Sequence, residues 1–187
     1  MLISPLEVLY FLVLTVATGF IFMQSVVRPR TEFDAEPHYG FDWSAFKLAV
    51  MAAAPAVVIH ELFHKFVALG FGLSASFEIW GFGLFLGIIL KLIGSPFILF
   101  APGYVAISGI SSPIQSFFIS FAGPFANLLL FIIAWYLLEH ARRLTRTQAT
   151  VLYLTKQINL FLFIFNMLPI PPLDGFQVFT SLFRILF

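Results

Sequence analysis

The sequence predicts an all-α membrane protein of about four transmembrane helices, with a re-entrant or β-hairpin membrane-associated segment between the second and the third. Three observations lead there. Hydrophobic residues make up 60% of the 187 and charged residues 10%, against roughly 45–50% and 25% in soluble domains. Four apolar stretches, 5–27, 48–70, 116–138 and 150–168, reach the roughly 20 residues a helix needs to cross a bilayer. A further apolar region, 76–110, carries too many glycines and prolines for a straight helix. The chain 1–187 therefore reads as one transmembrane domain, multi-pass and integral to a lipid bilayer.

The first stretch opens "MLISPLEVLYFLVLTVATGF". It lacks a basic leader, carries Glu7 and has no small-x-small cleavage site, so it reads as a retained accessory helix over 5–27. The loop that follows, "RPRTEFDAEPHYGFDW", holds four of the nine acids (Glu32, Asp34, Glu36 and Asp42) and belongs in water or at the interface. In 76–110 the breaks are Gly81, Gly83, Gly87, Gly94, Pro96, Pro102, Gly103 and Gly109. Backbone at membrane depth must satisfy its own hydrogen bonds, so a broken apolar segment should pack on protein as a hairpin or re-entrant element. The competing reading is a fifth span at 79–100. The third span, taken from 111 to 138, opens with "SSPIQSFFISFAGPFANLLL", where Gly123 and Ala126 are small enough to allow close helix contact. After the fourth, Pro169, Pro171 and Pro172 break the helix, and 176–187 is too short to cross again.

Net charge is +1 with no run of five basic residues, which sets nucleic acid aside. The absence of cysteine removes disulfides, thiolate ligands and Cys nucleophiles together.

The chemistry concentrates in "VVIHELFHKF", residues 57–66. His60-Glu61-Leu62-Phe63-His64 matches H-E-x-x-H, which on a helix puts two imidazoles one turn apart on one face, able to share a zinc ion. Glu61 is rotated about 100° from His60, free to act as a general base toward water rather than as a ligand. Ionisable groups at bilayer depth cost about 2.5–3.5 kcal/mol each on insertion scales, which makes a functional reading the default. Zinc needs a third protein ligand. A metzincin continuation would need Gly at 67 and His at 70, where the sequence has Val67 and Gly70. Glu78 is one candidate. Asp174, in "NMLPIPPLDGF", is the stronger, because the prolines let the chain turn a carboxylate inward and the second and fourth spans end on the same side. Against this stands a plain role for Asp174 as cap of a short terminal helix.

H-E-x-x-H on an apolar helix, "AGPFAN" and "NMLPIPPLDG" together, in this order, resemble the site-2 protease family of intramembrane zinc metalloproteases, peptidase family M50. The resemblance covers about 48–175, the expected catalytic core. It implies one Zn²⁺ per chain on His60, His64 and Asp174, Glu61 as catalytic base, and a transmembrane protein as substrate partner. It further implies substrate contacts at Asn166, at Asn127 of "AGPFAN", and at Gly103, Tyr104 and Val105 of "PGYV", a segment similar to the family's membrane-associated β region. Strand addition at such an edge would hold a substrate extended.

The expected reaction is hydrolysis of peptide bonds in or near transmembrane segments. The alternative is a catalytically silent zinc-binding membrane scaffold or partner-binding protein, in which a buried carboxylate that is not a ligand has no use; a transporter would show paired broken helices. A homodimer could complete walls that the short chain lacks. Loops 28–47 and 139–147 carry three basic residues each, against Lys65 and Lys91 in 65–115; this count puts the zinc end outside. The resemblance puts it toward the cytosol, which is the expectation carried forward.

Overall fold

The computed structural model describes residues 2–23, 41–94, 103–109 and 112–187. The expected acidic loop lies outside these residues except for its end at Phe41–Trp43, as do Pro96 and Pro102. The elements are α1 (Pro5–Phe22), α2 (Trp43–Gly70), β1 (Ser74–Ile79), α3 (Gly81–Leu92), β2 (Gly103–Ser108), α4 (Pro113–His140), α5 (Arg146–Asn166) and α6 (Asp174–Leu186).

Each long helix starts at a cap rather than at its first apolar residue. Ser4 and Glu7 form a capping box on α1, Ser112 and Gln115 on α4, and Thr145 and Gln148 on α5. Asp42 accepts from Ser44 N and Ala45 N, both at 3.0 Å, and starts α2 five residues before the expected apolar run. These side chains take up N–H groups that a helix start leaves without intrahelical partners. Helices α1, α2 and α4 are long and apolar enough to cross a membrane. Helix α5 has the length, at 21 residues, but Lys156, Gln157 and Asn159 interrupt its apolar run.

Helix α2 is central, with α1 on one side and α4 and α5 on the other. Ala45, Ala49, Ala52, Ala53 and Ala56 are buried along it, and small side chains let neighbouring backbones approach. Gly19 does the same for α1, where a Cβ would overlap Phe46 and Val50.

After Gly72 (φ +78°) the chain turns into β1. β1 pairs antiparallel with β2, from Ser74↔Ser108 to Ile79↔Gly103. The segment expected to be a hairpin thus leaves and returns at the C-terminal end of α2. Between the strands α3 runs only 12 residues, about 18 Å against the ~30 Å of a hydrocarbon core. A fifth spanning helix over 79–100 is therefore not what the described part of that range forms; 95–100 lie outside it. Gly83, Gly87 and Lys91 form the buried face of α3, with Lys91 Nζ 3.1 Å from the centroid of the Phe20 ring on α1. Phe82, Phe85 and Leu92 face outward.

Lys65 and Lys91, counted above as loop charges, are both buried, because the fold pairs or covers each. Lys65 sits inside α2 in an ion pair with Glu7. The same Glu7 oxygen accepts Phe77 N of β1 at 2.8 Å, and the other accepts Ser4 N at 2.7 Å. One carboxylate thus ties the start of α1, the site end of α2 and the hairpin together, above a core of Leu14, Val57 and Phe77 with Phe11 stacked on Phe77 at 4.5 Å. Removing one member of a buried pair leaves an uncompensated charge. Glu7→Ala is therefore expected to lower stability by about 3–5 kcal/mol, and Glu7→Ala with Lys65→Met to recover most of it. Equal unfolding midpoints for wild type and the single variant in bilayer-mimicking micelles would refute the clamp.

Candidate metal centre

His60 and His64 lie on the site face of α2, and Asp174 is the first residue of α6. Their ligand atoms form a small triangle: Nε2 to Nε2 is 3.1 Å, His60 Nε2 to Asp174 Oδ2 3.1 Å, and His64 Nε2 to Asp174 Oδ2 3.3 Å. Tetrahedral bonds of 2.0–2.1 Å, as zinc makes to nitrogen and oxygen, would separate neighbouring ligand atoms by about 3.3 Å. The three residues therefore fit zinc. They are also the metal-capable group found among the described residues.

Both imidazoles are held from behind. His64 Nδ1 donates to the Ile119 carbonyl and His60 Nδ1 to Asn127 Oδ1, each at 2.7 Å. This leaves both Nε2 lone pairs toward the centre, the arrangement that outer-shell partners give ligating histidines.

Two glycines make room. A Cβ on Gly123 of α4 would sit 2.6 Å from His60 Nε2 and closer still to His64 Nε2. A Cβ on Gly175 would meet the Met167 and Leu168 carbonyls, so the first turn of α6 packs directly on the end of α5 and carries Asp174 with it. The role of Asp174 as a helix cap is not realised: the cap position belongs to Leu173, without a side-chain bond.

A cleft of about 330 Å³ opens at this centre. Glu61 lines it beside His60, His64 and Asp174, and has no hydrogen-bond partner among the described residues. Gly103, Tyr104, Val105 and Asn166 line the same cleft. Asn127 does not. It is fully buried behind His60, so it has no surface to offer a substrate, and in place of the expected substrate contact it supports the His60 ring. Glu78 stands on β1 accepting from Tyr104 Oη at 3.0 Å, outside the metal group. Sequence reasoning missed Asn159, which bonds Asn127 at 2.9 Å. Its one visible signal was a polar residue in an apolar stretch.

The family model of peptidase family M50 matches residues 139–187. A protein of Methanocaldococcus jannaschii named "Putative zinc metalloprotease" is 38% identical over 144 residues, 74% of this chain and 72% of that one. The chain belongs to peptidase family M50. A Bacillus subtilis protein also named a "Putative zinc metalloprotease" is 40% identical over 72 residues, 34% of this M50 chain and 33% of that protein. No solved structure matches. With three membrane-capable helices, this M50 member is an integral membrane protein.

Proposed function

We propose that the chain is an intramembrane zinc metalloprotease that hydrolyses peptide bonds in or near transmembrane segments of membrane-protein substrates. The observation that supports this most is the triangle of His60, His64 and Asp174 with Glu61 beside it, in the cleft and outside the ligand set. On this reading α5 is the fourth crossing, the β1–α3–β2 unit dips into the membrane from the metal end, and 48–175 is the catalytic core. His60, His64 and Asp174 hold the ion, which supplies Lewis acidity toward water and the scissile carbonyl. Glu61 accepts a proton from the attacking water at its carboxylate and delivers it to the leaving amine.

The substrate has to be extended first, since a helix shields its own amides. Gly103, Tyr104, Val105 and Ile107 of β2 line the cleft, and among the described residues the sheet has two strands, each paired along one edge. Strand addition at β2 brings the peptide bond to the centre, and Asn166 meets it from the end of α5.

The test is cleavage of helical membrane peptides by purified chain carrying one zinc. Cleavage lost to a chelator and restored by zinc supports the reading. A zinc-loaded chain that cuts none of several peptides favours the silent scaffold.

The orientation follows the family resemblance, with the metal end toward the cytosol, against the count of basic residues in the loops. The chain has no cysteine, so single introduced thiols report topology. An impermeant maleimide on intact cells is expected to label Arg142→Cys, and to label Ser108→Cys only after lysis. The reverse pattern puts the metal end outside.

A further inference from the structure

We infer that Asn159, on α5, is a positioning residue that sets which nitrogen of His60 carries the proton, and so keeps Nε2 open to a metal ion. The inference rests on the zinc reading of the site and not on proteolysis.

One group beside Asn159 has a single possible role. The Thr155 carbonyl can only accept, and Asn159 Nδ2 donates to it at 2.8 Å. Asn159 Oδ1 is thereby turned toward Asn127 and accepts from its Nδ2 at 2.9 Å. The other proton on that nitrogen goes to the Ala56 carbonyl at 3.0 Å, again a pure acceptor. With both amide protons taken, Asn127 can present only Oδ1 to His60, 2.7 Å from Nδ1. A bare oxygen facing Nδ1 requires a proton on Nδ1, and a neutral imidazole then has its lone pair at Nε2. That atom is the one 3.1 Å from both His64 Nε2 and Asp174 Oδ2.

A flipped Asn127 amide would set NH₂ against Nδ1 and move the ring proton to Nε2, where it blocks coordination. Ala56 opposes that flip with one oxygen and Asn159 with a second. Both asparagines are fully buried, so solvent does not relax the relay. Its members come from α2, α4 and α5, which makes the state of a ligand on α2 depend on a side chain two helices away.

Zinc affinity measured against a competing chelator, on the full chain in micelles, tests this. Asn159→Leu keeps the branched shape and removes the acceptor; it is expected to weaken zinc binding about tenfold or more, the scale of outer-shell effects. Asn159→Asp keeps an oxygen toward Asn127, and near wild-type affinity is expected. Asn127→Asp faces His60 with oxygen whatever its neighbours do. In that background Asn159→Leu is expected to change nothing, a non-additivity that a packing role would not produce.

Nitrogen-15 spectra of the metal-free protein with labelled histidine give a readout independent of zinc. The His60 proton is expected on Nδ1 in wild type, with Nε2 gaining it in Asn159→Leu. Equal losses in both backgrounds, or unchanged affinity and tautomer in Asn159→Leu, overturn the inference. If wild type binds no zinc, the metal reading fails and the nitrogen-15 result alone decides the tautomer claim.

Discussion

Glu61→Gln is expected to leave the chain folded with one zinc bound while peptide hydrolysis falls by about 10²–10⁴-fold, the usual contribution of a general base. The geometry separates the two roles. Glu61 neighbours His60 in sequence but is not part of the triangle of ligand atoms, and it lines the cleft without a hydrogen-bond partner among the described residues. Glutamine has the same shape and no basic oxygen of comparable strength. Loss of the charge leaves His60, His64 and Asp174 on their own supports, His60 on Asn127 and His64 on Ile119. Stability should not fall, since a buried carboxylate without a partner is itself a burden on the fold. The measurement is turnover of a membrane peptide and metal content on the same samples. A variant that cuts at the wild-type rate would move the base elsewhere; one that loses zinc would make Glu61 part of the ion's support.

Gly123→Ala is expected to abolish stoichiometric zinc binding. The added methyl would lie 2.6 Å from His60 Nε2, and nearer to His64 Nε2, in the space toward which both lone pairs point. Neither ring can easily retreat, because each is held at 2.7 Å through Nδ1. Overpacking of this kind costs about 1–3 kcal/mol, and the gain from Ala over Gly in a helix interior, up to roughly 1 kcal/mol, offsets part of it. The fold should therefore survive while the centre does not. Metal analysis beside a thermal unfolding curve distinguishes the two effects. A folded Gly123→Ala protein holding one zinc would show that α4 stands further from the centre than this geometry places it.

The histidines were legible because i, i+4 spacing is a local property of one helix, and the cost of burying charge in a bilayer made them conspicuous. Asp174, 110 positions after His64, was legible through its prolines and through the order of motifs, though not its distance from the imidazoles. The helix starts were misjudged where the apolar run began later than the cap: Asp42 starts α2 and Ser112 starts α4. Residue type alone misassigned Asn127, whose motif resembled a substrate contact and whose place in the fold is behind the His60 ring.

By itself, the sequence determined that this chain lives in a membrane, that two imidazoles share one helical face, and that a carboxylate which need not be a ligand lies beside them. Composition and helical periodicity suffice for that, since both depend only on neighbours along the chain. The tertiary structure alone decided that Glu7 pairs with Lys65, that Gly123 leaves room in front of both imidazoles, and that Asn159 and Asn127 hold His60. Those contacts join residues 32 to 67 positions apart. Such pairs meet only when helices pack, and packing distances, unlike spacing on one helix, are written in no single segment.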